Sequence, residues 1–180
     1  QTSRILKDKS YQDMQQNMET TGKSLETFFE SYSTIMDLLY TNQTMYNYLG
    51  IDYTDLSYGE MFYYTDRQLL HNILSMFPGI YRVRFYSDND TLPRDNYYFY
   101  QIDRLPGDFR KKAAKKSGSA VAGGIMQEKD GKYAGLIRKM NYYSSGGVEN
   151  YLMLLVDTQE LSGRLAQGGG SRQTYLIEEE

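Results

Sequence analysis

Arg84 and Tyr86 stand two apart in "IYRVRFYSD", and Tyr98 and Tyr100 stand two apart in "NYYFYQID". Residues two apart on a strand share one face. A register that joins those two faces gathers guanidinium and phenol groups on one side of a sheet. Such a cluster suits a polar or anionic small molecule, because Arg forks onto an anion and Tyr offers a flat wall with a hydroxyl tip. The same residues also fit a plainer arrangement, with the tyrosines in the core and the arginines in solvent. Asp103 and Arg104, just ahead of Pro106, either pair with each other or reach a ligand.

Catalysis finds less to work with. The single histidine, His71, sits at helical spacing with Leu70 and Leu74, which predicts a structural role. Without cysteine, neither a Cys-ligated zinc nor a thiol nucleophile can be assembled, and with His71 read as structural no Ser-His triad is expected. Gly123-Gly124 and Gly146-Gly147 lack the spacing of phosphate-binding loops. Asp88, Asp90 and Asp95 lie close together but without the central Gly and closing Glu of a calcium loop, so a turn is expected. No enzyme activity, cofactor or metal is expected of this stretch.

The composition sets wider bounds. At 180 residues, with 40% hydrophobic and 24% charged residues, the chain fits one globular domain with an appendage. A net charge of −3 argues against a nucleic-acid partner, whose phosphates demand a basic excess. The run Arg110, Lys111, Lys112, Lys115, Lys116 is a local exception. Absence of cysteine suits a bacterial protein outside the cytoplasm. No apolar run approaches the ~20 residues of a membrane span, and a start at Gln1 without a signal peptide reads as an excised fragment.

The elements that must position these residues follow from periodicity. Apolar residues recur at three- and four-residue spacing from Tyr11 to Leu49, with Thr21 and Asn42 the polar members. That seam predicts a helix from Ser3 to about Leu49, roughly 70 Å long. Its front half is a thin coiled-coil seam and its back half packs onto a domain. Asn42 either fixes a dimer register or marks the domain boundary, and Gly50 is the expected C-cap. "DRQLLHNILSMF" reads as an amphipathic helix ended by Pro78-Gly79. From Ile80 the period becomes that of strands: two aromatic ones, then a hairpin turning at Asp130-Gly131 in the type I′ manner, then "VENYLMLLVD" as the central strand. "TQELSGRLAQ" is a short helix, Gly168 to Gly170 a break, and "TYLIEEE" a last strand or a continuation. The fold class is α+β: a long N-terminal helix, then a PAS-like antiparallel sheet of about five strands with flanking helices. The expected division is 1–49 for the signalling helix, 50–167 for the sheet domain and 168–180 for a C-terminal connection.

The passage "QIDRLPGDFRKKAAKKSGSAVAGG" carries a resemblance: an aromatic after a strand, a short helix, then a Gly/Ser stretch opening a hairpin. It resembles the ligand-side segment of Cache (PDC) sensor domains, with Phe109, Ala113 and Gly118 where that family has Trp, Ala and Gly. "YLMLLVDTQELSGRL" is similar to the family's closing strand and helix, with Asp157 as the acidic strand end. The Tyr-rich character and the long helix look most like the extracellular parts of YesM-type sensor histidine kinases. The family's amino-acid-binding motif is not recognisable.

The resemblance implies an extracellular, membrane-anchored sensing domain of a two-component signal-transduction protein. A small-molecule ligand would be held by Arg84, Tyr86, Tyr98, Tyr100, Asp103, Arg104, Phe109 and Asp157. The helix Asp108 to Lys116 would flank the pocket, with Phe109 inward and the lysines solvated. Homodimerisation through the N-terminal helix and membrane attachment through flanking segments are implied with it, and catalysis would lie on a cytoplasmic portion. The competing readings are a chemoreceptor sensor domain and a coiled-coil interaction module that binds no small molecule.

Overall fold

The computed structural model describes residues 29–57, 59–60, 67–159 and 163. The front of the seam, Asp66 at its helix start, most of "TQELSGRLAQ" and "TYLIEEE" lie outside the described residues. The chain divides into two units. One is Ser33–Asp157 and holds the five strands found among the described residues. The other joins Gln1–Tyr32 to Thr158–Glu180; its described residues 29–32, 158–159 and 163 are helical.

In the larger unit the first helix, α1, runs to residue 40 and buries Ile35, Met36, Leu39 and Tyr40. The stripe follows the helical period. The expected uninterrupted helix breaks at Thr41-Asn42. The Thr41 hydroxyl donates to the Asp37 carbonyl at 2.8 Å, and Asn42 is extended at φ −82°, ψ 105°. The Asn42 side chain accepts from the Met45 amide at 3.3 Å and so caps a new helix, α2 (Gln43–Gly50). Asn42 therefore starts a helix where the seam reading offered a dimer register. Gly50 closes α2 from inside, and the C-cap is Ile51. Glycine is required there because a Cβ would lie 2.9 Å from the Ser145 carbonyl oxygen. The Asn89 amide donates to the carbonyls of Leu49 and Ile51 at 2.9 and 2.8 Å, satisfying the open end of α2.

Next comes α3 (Arg67–Met76), which buries Leu70 and Ile73 and packs on β1 (Ile80–Ser87). Its His71 is exposed. Then follow β2 (Phe99–Gln101), a one-turn 3-10 helix (Ile102–Arg104), α4 (Gly107–Lys115), β3 (Val121–Glu128), β4 (Gly131–Lys139) and β5 (Asn150–Asp157). The strand order is β2-β1-β5-β4-β3. β5 is central, as its unbroken apolar run predicts, and all its residues but Asp157 are buried. Three pairings are antiparallel, but β1 and β2 are parallel, so the sheet is mixed. The hairpin is there with its turn one residue earlier, on Lys129-Asp130, because Glu128 pairs with Gly131. Type I′ needs positive φ at both turn residues. Asn96 is the only non-glycine with positive φ among the described residues, so this turn is of another type.

Register sorts the side chains onto two faces. One carries Val83, Phe85, Phe99, Leu136, Leu152 and Leu154, all nearly inaccessible, and receives α1 and α2. Tyr48 of α2 meets Phe99 at a ring separation of 4.6 Å, and the Arg138 guanidinium lies 3.5 Å above Tyr40 and bonds Asp37 of α1. The other face carries Arg84, Tyr86, Tyr100, Tyr133, Ile137, Tyr151, Met153 and Leu155, with α4 packed on β3 and β4.

Candidate functional site

The second face holds Arg84, Tyr86, Tyr100 and Phe109 of the residues singled out from the sequence, and α4 explains its shape. Phe109 leaves the first turn of α4 and is buried in a cluster with Tyr86, Leu105, Ala113, Ile137 and Met153. Its ring rests where three strand glycines supply no side chain. A Cβ on Gly123, Gly124 or Gly135 would come within 2.8, 3.1 or 2.7 Å of ring carbons. Those glycines thus have a packing reason and no phosphate-loop role. The exposed side of α4 behaves as its lysines suggest, with Lys111, Lys115 and Lys116 in solvent. Lys112 reaches the Gly123 carbonyl at 2.9 Å, and Arg110 pairs with Glu149 at 2.7 Å.

Beyond the edge of α4 lies a polar and aromatic patch. Arg84 is 7% exposed and donates through both terminal nitrogens to the two Glu128 carboxylate oxygens, at 2.8 and 2.9 Å. Its Nε is buried without a partner. The guanidinium lies 5.0 Å from the Tyr100 ring centroid, and the Tyr86 and Tyr100 rings are 5.5 Å apart. Tyr81 stacks on Tyr133 at 3.8 Å and donates its hydroxyl to Asp130 at 2.9 Å. It reaches this face because a bulge between Ile80 and Arg82 interrupts the alternation of β1. The Tyr86 hydroxyl titrates above the usual phenol range chiefly through burial. Tyr81 is pushed up to about 12, by burial first and by its bond to Asp130 second. For Arg84, burial opposes the charge, but the Glu128 pair and neighbouring phenols outweigh it, so its pKa is raised.

The structure brings together Arg84, Tyr86 and Tyr100, with Phe109 beside them and Asp157 at the end of β5, opposite Tyr133. It sets three residues apart. Tyr98 precedes β2, where the Asp95 carboxylate binds the amides of Tyr97, Tyr98 and Phe99 at 2.9 Å each. Strand alternation does not reach it, and its ring packs on Tyr97 and Phe99. That geometry also confirms Asp95 as a turn residue. Asp103 and Arg104 are exposed on the 3-10 turn and bond neither to each other nor to the Arg84 cluster. Glu128, Tyr81 and Tyr133 were not legible as site residues. Strand alternation does place Glu128 on the face of Met126, but strand order is needed to bring that face to Arg84.

Glu149 carries a pH prediction. Arg110 donating to it, more than any other cause, holds its carboxyl below the ordinary range, with Tyr151 also donating. A depressed carboxylate pKa contributes stability that is complete above the unfolded value near 4.5 and is lost as pH falls through the folded value. Urea melts of the wild type should therefore weaken on the acid side of about pH 4.5 more steeply than those of Glu149→Gln. The difference is small, because the ion pair is half-exposed.

No protein-family model matches the sequence, and no curated protein matches it. Solved structures do. The extracellular domain of vpHK1S-Z8, a candidate histidine kinase, aligns over 83% of this chain and 57% of its own, at 20% identity and TM-score 0.55. The ligand-binding domain of the Campylobacter jejuni chemoreceptor Tlp3, in complex with L-norvaline, aligns over 89% and 64% at 13% identity and TM-score 0.54. The same domain with L-valine gives 89% and 66%, 13% and 0.53. These likenesses define the fold: the chain has the α+β architecture of extracellular sensor and chemoreceptor ligand-binding domains. It spans between 57% and 66% of the length of those domains. Among the described residues, no helix is long and apolar enough to cross a membrane.

Proposed function

We propose that this chain is the extracytoplasmic, ligand-sensing part of a transmembrane signalling protein and does no catalysis itself. The observation that carries the reading is the Arg84 patch, a nearly buried guanidinium with one unbonded nitrogen among tyrosines, on the face of a sensor-type sheet away from α1 and α2. A small polar molecule binding there would alter the curvature of the sheet. Arg138 and the Tyr142 amide, which donates to the Tyr46 hydroxyl at 3.1 Å, would pass that change to α1 and α2. The output is a two-component histidine kinase of the YesM type, with the N-terminal segment (1–49) relaying the signal and forming the dimer contact. Residues 50–167 are the sensor, in the manner of Cache domains, and 168–180 connect onward. The likeness to Tlp3 favours a chemoreceptor as the second reading of the output.

The test is a thermal-shift screen of the chain against a small-metabolite library. Compounds that stabilise the wild type should bind at least about tenfold more weakly to Arg84→Gln, as loss of a charged hydrogen bond predicts. Asp103→Ala, on the exposed turn, should bind as the wild type does. A hit that Arg84→Gln binds undiminished would remove the site assignment. The output domain is tested by reading the parent open reading frame for flanking spans and for a kinase or methyl-accepting region downstream.

A further inference from the structure

The Arg84–Glu128 pair joins strands that are not neighbours. β1 and β3 are separated by β5 and β4, three inter-strand steps of about 4.8 Å each. Two long side chains therefore lie across the sheet face, over β5 and β4, and meet in a two-pronged bond. A second link runs the same way, from Tyr81 of β1 to Asp130 of the hairpin turn. Glu128 is the last residue of β3, an edge strand, and its carboxylate has no hydrogen-bond partner other than Arg84 among the described residues. Arg84 is locked in place by burial, whereas Glu128 sits at a strand end with its side chain 19% exposed. Of the two partners, Glu128 is the more exposed and the one at a strand end. The buried, unpartnered Nε of Arg84 is a third donor that Glu128 does not use. A guanidinium donates to a carboxylate in this two-pronged geometry.

We propose that Glu128 is a built-in occupant of the ligand site. In the free chain its carboxylate fills the Arg84 fork that a small organic acid takes on binding, so the acid must displace Glu128 and release the hairpin end. The inference rests on the Arg84 patch being the ligand site. It adds the ligand class, a small carboxylate seated against Tyr86 and Tyr100, and it makes the competing side chain a determinant of affinity.

The test titrates the wild type and Glu128→Gln with acetate, propionate and benzoate at constant ionic strength, following thermal stability and calorimetric heat, with acetamide as the neutral control. Glu128→Gln should bind these carboxylates at least about tenfold more tightly than the wild type, as removal of a charged competitor for the fork predicts. The gain should vanish for acetamide and in the double variant Arg84→Gln/Glu128→Gln. If Glu128→Gln does not fold, Glu128→Asp, one methylene too short to span the face, should show part of the same gain. Carboxylate affinities that are equal in the wild type and in the folded variant, or that persist in the double variant, would overturn the proposal. A neutral metabolite that binds in an Arg84-dependent way, alongside unchanged carboxylate affinity in Glu128→Gln, would overturn the displacement while leaving the site itself in place.

Discussion

Glu128→Ala should destabilise the fold by about 3 kcal/mol, because it strands the Arg84 charge in a site that water scarcely reaches. Arg84→Met should cost less, about 1 kcal/mol, if the Glu128 carboxylate, the more exposed partner and at a strand end, turns to solvent once the guanidinium is gone. The double variant Arg84→Met/Glu128→Leu removes both charges and keeps the volume, so it should lie within about 1 kcal/mol of the wild type. Urea unfolding of the four proteins forms a closed cycle, and strong non-additivity is the expected sign of direct coupling. Equal losses in the two single variants would mean that both partners are equally trapped. In that case Glu128 could not yield its place to another carboxylate. The cycle thus measures, without any ligand, the asymmetry on which displacement depends.

How far the sequence makes this arrangement legible differs from element to element. β5 declares itself by an unbroken apolar run, because a central strand covered on both faces has no side for polar residues. α4 is equally plain, with Phe109 and Ala113 four residues apart on its one buried side. The helix break at Thr41-Asn42 is hidden because Leu39, Asn42 and Tyr46 keep the three- and four-residue spacing across it. Asn42 in a cap-favouring role is the only local signal. Tyr98 is misplaced by alternation for a different reason: the Asp95 carboxylate claims the amides that a longer β2 would have paired. The bulge at Tyr81 is likewise invisible to a strict two-residue period. Glu128 lies beyond any local rule. It meets Arg84 only once strand order and sheet curl are fixed, and both are tertiary properties. What spacing reveals is which face a residue takes within its own strand; what it cannot reveal is which distant strand crosses that face.

Phe109→Ala should be the most damaging single truncation on this face, at about 3–5 kcal/mol, because it empties a buried ring site enclosed by glycines with no side chains to collapse into it. Gly135→Ala should also destabilise, since its Cβ would lie 2.7 Å from a ring carbon of Phe109, with strand backbone behind it. The combination is the informative protein. With the ring gone, the methyl group of Gly135→Ala occupies part of the vacated space, so the double variant should be more stable than Phe109→Ala alone by about 0.5–1 kcal/mol, the scale of one buried methyl group. A double variant less stable than Phe109→Ala would show that Gly135 is needed for its backbone and not for the room it leaves. Because the ring packs in one cluster with Tyr86 and Met153, next to Arg84, the same three proteins also probe the site. Ligand affinity should fall in Phe109→Ala even at temperatures where the protein remains folded. The ring that seats α4 on the sheet is also the wall against which Tyr86 is held beside Arg84.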